Sequence, residues 1–123
     1  MSFASGIAGY AQRTGLSIDN AVIAICAEVS TNIIQRSPVK SGRFRGNWYA
    51  SINDVSSETS ETRNGEQAIS DALLKAQKAS GAIFTLSNNL PYGLKLEYGS
   101  SKQAPSGFLR ISVAEAETAL KRL

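Results

Sequence analysis

Pro38 is the residue that most limits how this chain can fold. It follows a run from Ser17 to Arg36 in which Ile18, Val22, Ile25, Val29 and Ile33 recur at spacings of three and four, with Ala21 and Cys26 beside them. That recurrence is one apolar stripe on a helix. The residue before a proline is pushed out of the helical region, so Pro38 closes the run. Ser17 is placed to cap its start, and Asp19 complements the positive end of the helix dipole. The spacing therefore predicts an amphipathic helix over 17–36 with Val22, Ile25 and Val29 in the core.

Beyond Pro38 the period changes. Phe44, Gly46, Trp48, Ala50 and Ile52 share one parity, and Arg45, Asn47, Tyr49, Ser51 and Asn53 share the other. This alternation predicts a half-buried strand over 44–53, with Trp48 and Ile52 turned inward. Gly46 within it marks a bulge or a close backbone approach. Residues 54–64, DVSSETSETRN, are polar and aperiodic. They read as a mobile loop or the tips of a long hairpin.

A second helix is predicted over 65–80. Ile69, Leu73 and Ala76 form its stripe, Asp71 and Lys75 an i, i+4 pair, and Gly81 its C-terminal cap. A second strand follows over 82–88, then a turn at Asn88-Asn89-Leu90-Pro91. Segment 91–99 is ambiguous between helix and strand and is assigned to a helix. The last helix, over 107–121, places Leu109, Val113, Ala116 and Leu120 on one face. Residues 1–16 are small and glycine-rich, with weak helical spacing, and are expected to be a flexible arm that orders only against a partner.

The expected fold is α+β. A small antiparallel sheet packs against a long N-terminal helix, a middle helix and a C-terminal helix, in a single domain over 17–123. Two strands do not hide their own edges. Either the ambiguous segments supply more strands or neighbouring subunits complete the sheet.

The residues offer little chemistry. The 123-residue chain has no histidine, which removes the commonest general base and metal ligand. Cys26, the one cysteine, sits on the apolar stripe with nothing placed to activate it. A single cysteine forms no intrachain disulfide, which fits a reducing compartment. Asp54, Glu58 and Glu61 lack the dense spacing and turn glycine of a calcium loop. No signal peptide, membrane span, metal or cofactor is expected, and no enzymatic activity.

Charge is modest overall, with 13 basic and 10 acidic residues and a net charge of +3. Its placement is uneven. Arg36, Lys40, Arg43 and Arg45 fall in a stretch without an acid, whereas Asp54, Glu58, Glu61, Glu66 and Asp71 face only Arg63. These two stretches are candidates for a subunit interface or a channel surface. The basic stretch runs into Trp48 and Tyr49, a pattern that also occurs in single-strand nucleic-acid binders. A small basic nucleic-acid-binding module is therefore an alternative of another class.

Three segments together carry a resemblance. They are SPVKSGRFRGNW (37–48), NNLPYGLKLEYG (88–99) and QAPSGFLR (103–110). Their order resembles the tail-completion family of long-tailed bacteriophages, the Z-type minor tail proteins of the head–tail joint. The matching positions are Pro38 and Val39, Gly42 and Arg43, Trp48, Asn88, Pro91 and Tyr92, Glu97, Tyr98 and Gly99, and Ala104 and Pro105. Lys40 departs from the pattern, where the family often carries an acid. The resemblance implies a virion protein of the neck, assembled in the host cytoplasm. Its subunits would form a ring, commonly a hexamer, that caps the head-proximal end of the tail. The ring docks on the head connector and surrounds DNA without reading its sequence. A tail terminator or head-closure ring of the same neck is the alternative within that class. An Arg43–Glu97 pair is expected to pin the Glu97-Tyr98-Gly99 turn against the start of the first strand.

Overall fold

The computed structural model describes residues 3–38 and 42–90. Among these the chain runs through α1 (Phe3–Thr14), α2 (Ile18–Arg36), α3 (Arg43–Gly46), β1 (Trp48–Ile52), α4 (Gly65–Ala76) and β2 (Phe84–Asn88). The fold is α+β. Strands β1 and β2 pair antiparallel, Trp48 opposite Asn88 and Ile52 opposite Phe84. Helices α2 and α4 pack on the face of the sheet that carries Trp48 and Ala50.

Helix α2 forms as its sequence predicts. The Ser17 side chain accepts the Asn20 amide at 3.1 Å, satisfying one of the unpaired donors of the first turn. Ser37, the residue before Pro38, has ψ 142°, the extended backbone that a following proline requires. Ala21, Ile25, Ile33 and Ile34 are buried, with Val22 and Val29 half-buried beside them. Helix α4 starts on a reciprocal cap. The Asn64 side chain accepts the Gln67 amide while the Gln67 side chain accepts the Asn64 amide, both at 2.8 Å.

Several expectations are corrected. Residues 3–14 of the expected arm form helix α1, which buries Ile7 and Ala11 against Ala21 and Ile25 of α2. Ile7 and Ala11 are the only described residues of α1 among the buried residues of that cluster, too few for a clear apolar stripe in the sequence. The strand expected over 44–53 is only Trp48–Ile52, and Arg43–Gly46 is a helical turn. Phe44 and Trp48 are four apart, a spacing that shares a face in a strand and in a helix alike. Ile52, expected in the core, is half-buried at the strand's end. Helix α4 ends at Ala76, and Gly81, with φ 73°, serves the following turn rather than the helix cap.

Leu73 is the clearest core error, because 40% of it is exposed. The inward face of α4 is Ala68, Ala72 and Ala76, each at most 1% exposed. Small side chains bring α4 close to α2, and the larger leucine lies at the margin of that contact. Segment 91–99, the helix expected over 107–121, and Lys40, Glu97, Leu109 and Val113 lie outside the described residues, as do the second and third motif segments beyond Leu90.

Candidate functional site

The described residues of the first motif segment, 37–38 and 42–48, form a braced corner between α2 and β1. The Trp48 indole N–H donates to the Ser37 hydroxyl at 2.8 Å, and that hydroxyl donates to Ile33 O at 2.7 Å. Trp48 is buried, as its parity predicts, and meets Phe44 edge-on with ring centroids 5.8 Å apart. Gly42 opens α3 with φ 74°, a conformation costly for residues with a Cβ. The Arg45 guanidinium turns back onto the end of α2. It donates to Ser37 O at 2.8 and 3.2 Å and to Gln35 O at 2.5 Å. A cation on terminal carbonyls offsets the negative end of the helix dipole.

Asn47 ties this corner to loop 53–64. Its side chain is fully buried, donates to Arg43 O at 2.7 Å and Ser60 O at 3.0 Å, and accepts the Ser60 amide at 2.7 Å. Asn89, just beyond β2, holds the same loop, donating to Ser56 O and Glu58 O at 2.9 Å each. Gly46 permits the approach. A Cβ there would sit 1.9 Å from Arg63 O, so the close-approach reading of this glycine holds.

Arg63 braces the sheet. Its guanidinium stacks 4.1 Å above the Tyr49 ring, donates to the carbonyls of Gly46 and Trp48, and pairs with Asp71 at 3.1 Å. Lys75 reaches Ala50 O at 3.2 Å and Asp71 at 3.4 Å, the latter being the predicted i, i+4 pair. A cleft of about 540 Å³ opens between these residues and loop residues Asp54–Glu58, floored by Tyr49 and Ser51. The cations on its wall are already held by Asp71 and backbone carbonyls. The arrangement is thus a brace on β1 rather than a seat for an anion.

The predicted site residues separate into groups. Arg43 and Arg45 sit on α3 beside the end of α2, where Arg36 is half-buried. Arg43 pairs with Glu61 of the same chain at 3.0 Å, so the basic and acidic stretches meet here within one chain. The expected partner Glu97 is not among the described residues. Glu58 and Glu66 are exposed, and Glu66 lies in the first turn of α4, where the dipole favours an acid. Asp71 is drawn into the Arg63–Lys75 brace. Asn47, Arg63 and Lys75 were not candidates on sequence. Arg63 had one available signal, as the lone cation in an acidic stretch.

Two chemical readings can be judged directly. Cys26 is half-buried, and burial pushes its thiol pKa up, which keeps it protonated and weakly nucleophilic at neutral pH. Among the described residues, Cys, Asp and Glu form no group of three able to hold a metal. No family model, curated protein or solved structure matches this chain.

Proposed function

We propose that this chain is a non-enzymatic structural subunit of a tailed-phage neck, a tail-completion protein that assembles into a ring, commonly of six, between tail and head connector. The observation that carries the reading is the order of the three motif segments along the sequence. The fold of the first segment supports it. Pro38, Gly42 and Trp48 each have a structural task in the corner, and Arg45 and Asn47 lock that corner to α2 and the loop. Residues placed this way make a rigid block, which suits an assembly part. The partners on this reading are further copies of the chain, the connector or head-closure protein, the tail terminator or tube, and passing DNA.

The nucleic-acid-module reading loses its main feature. Trp48 is buried with its N–H engaged, and Arg45 faces helix carbonyls, so the basic–aromatic stretch is not a stacking platform. Native mass spectrometry and electron microscopy of the purified full chain, with and without tails, test the proposal. A ring mass and end-on rings at the tail's head-proximal end are expected. A chain that never exceeds a small oligomer and never joins tails would sink it.

A further inference from the structure

Of the seven asparagines, Asn64 alone precedes a glycine. An asparagine side chain is open to attack by the backbone nitrogen that follows it, and a Cβ on the following residue crowds that attack. Asn20, Asn32, Asn47, Asn53, Asn88 and Asn89 are all followed by residues with a Cβ. Gly65 leaves the approach to Asn64 open.

Packing holds that glycine in place. A Cβ on Gly65 would sit 2.5 Å from Arg45 Cδ and 2.7 Å from Arg45 Cγ. Arg45 has little room to retreat, because its guanidinium is fastened to Ser37 O and Gln35 O. The approach of Arg45 to the start of α4 therefore puts an Asn-Gly pair at an exposed N-cap.

The same cap controls the reaction. Asn64 Oδ1 accepts the Gln67 amide, and the Asn64 amide donates to Gln67 Oε1, both at 2.8 Å. Asn64 O accepts the Ala68 amide at 3.1 Å. A ring through Cγ and the Gly65 nitrogen needs Cβ and that nitrogen nearly eclipsed about the Cα–C bond. At the observed ψ of 175° they are staggered. The attacking group is not tied down in the same way. Gly65 N–H is the first amide of the helix, which has no intrahelical acceptor, and none among the described residues takes it.

We propose that Asn64 is a self-modification site of this chain, gated by the capping box of α4. When the first turn opens, the Gly65 nitrogen bonds to Asn64 Cγ. Its proton passes to the side-chain nitrogen, which leaves as ammonia, and a cyclic imide remains. Water then opens the imide. Opening at the side-chain carbonyl gives aspartate, which caps as well as asparagine and adds a charge that the helix dipole favours. Opening at the backbone carbonyl gives isoaspartate, whose chain runs through Cγ and gains a methylene. That product cannot keep both the cap and the Ala68 bond. One residue thus yields a sealed and a loosened start of α4, beside the Arg63 brace. The reaction uses only water, and the inference is independent of the neck reading.

Peptide mapping by mass spectrometry of the full chain, aged in mildly alkaline buffer, tests it. Asn64 should convert first among the seven asparagines, to aspartate and isoaspartate together. Gln67→Ala removes one arm of the box from an exposed position and should speed conversion about fivefold, the factor that a cap contact is worth. Gln67→Glu keeps the reciprocal cap and should leave the rate near that of wild type. Ser37→Ala removes the buried acceptor of the Trp48 N–H, which lowers global stability away from the cap, and the rate should not follow. Hydrogen exchange at Ala68 should quicken in the isolated isoaspartate form and stay at the wild-type level in Asn64→Asp. Conversion of another asparagine ahead of Asn64, or no conversion at Asn64, overturns the proposal. A rate indifferent to Gln67→Ala also overturns it, as does one that rises with Ser37→Ala, which would place the gate in global unfolding.

Discussion

Helix α2 carries two hydrophobic clusters, and they are built differently. Toward its C-terminal end, Ile33 and Ile34 pack with Phe44, Trp48, Ala50, Ala68, Ala72 and Leu90. Toward its N-terminal end, Ala21 and Ile25 receive Ile7 and Ala11 from α1. The first cluster draws on elements scattered along the sequence and is cross-linked by the Trp48–Ser37–Ile33 hydrogen bonds. The second joins two helices that are neighbours in sequence through small aliphatic side chains. Val29 touches both clusters. A contact set that is long-range and polar-pinned opens only with the whole fold, whereas a local one can open alone.

The largest expected effect falls on the first cluster. Trp48→Ala should cost ~3–5 kcal/mol, since a large buried ring is lost and the buried Ser37 hydroxyl loses the N–H it accepts. Urea unfolding followed by circular dichroism measures it. A loss under ~1 kcal/mol would mean that this cluster does not hold the fold.

Next comes the tie between the corner and the loop. Asn47→Ala removes the partner of the Ser60 amide, Ser60 O and Arg43 O, and should cost ~2–3 kcal/mol. Proteolysis should then cut first within 54–64. A variant as resistant as wild type would show that Asn89 and Gly46 suffice to hold the loop.

Ile7→Ala probes the second cluster and should cost about 2 kcal/mol locally, near the low end for a buried isoleucine because the cluster is small. Hydrogen exchange should quicken in α1 while Trp48 emission stays unchanged. If both change together, the two clusters are one cooperative unit, and the contrast drawn above fails.

The smallest effect concerns Arg43 and Glu61. Their side chains are 40% and 80% exposed, so a double-mutant cycle should give only ~0–1 kcal/mol of coupling. That coupling should fade as salt rises. A coupling well above this range would show that the pair is shielded from solvent in an assembly.

Much of α2 was legible because three local rules agree there: an apolar stripe, a serine cap and a proline stop. Strand β1 was legible in its second half, where Trp48 and Ala50 are buried as alternation predicts. Its first half misled because Phe44 shares a face with Trp48 in either geometry. The tail of α4 misled differently. A leucine at stripe spacing outranks an alanine by hydrophobicity, but the close approach of α4 to α2 rewards the smaller side chain. Of the candidate site, the Asp71–Lys75 pair is local and was readable. The Arg43–Glu61 contact joins residues from two stretches singled out for charge, but nothing in sequence paired them or put them in one chain.

By itself, then, the sequence determined what short-range physics controls: where α2 starts and stops, that an α+β fold forms, and that Trp48 is inward. Only the tertiary structure decided the rest. It turned residues 3–14 into a packed helix, sent Arg45 to the end of α2, and brought Arg63 and Lys75 onto the edge of β1. Those outcomes depend on which carbonyls are left unpaired once strands and helices have docked. A backbone acceptor has no signature in the sequence, because every residue carries one, and only the fold determines which need a side chain to complete them.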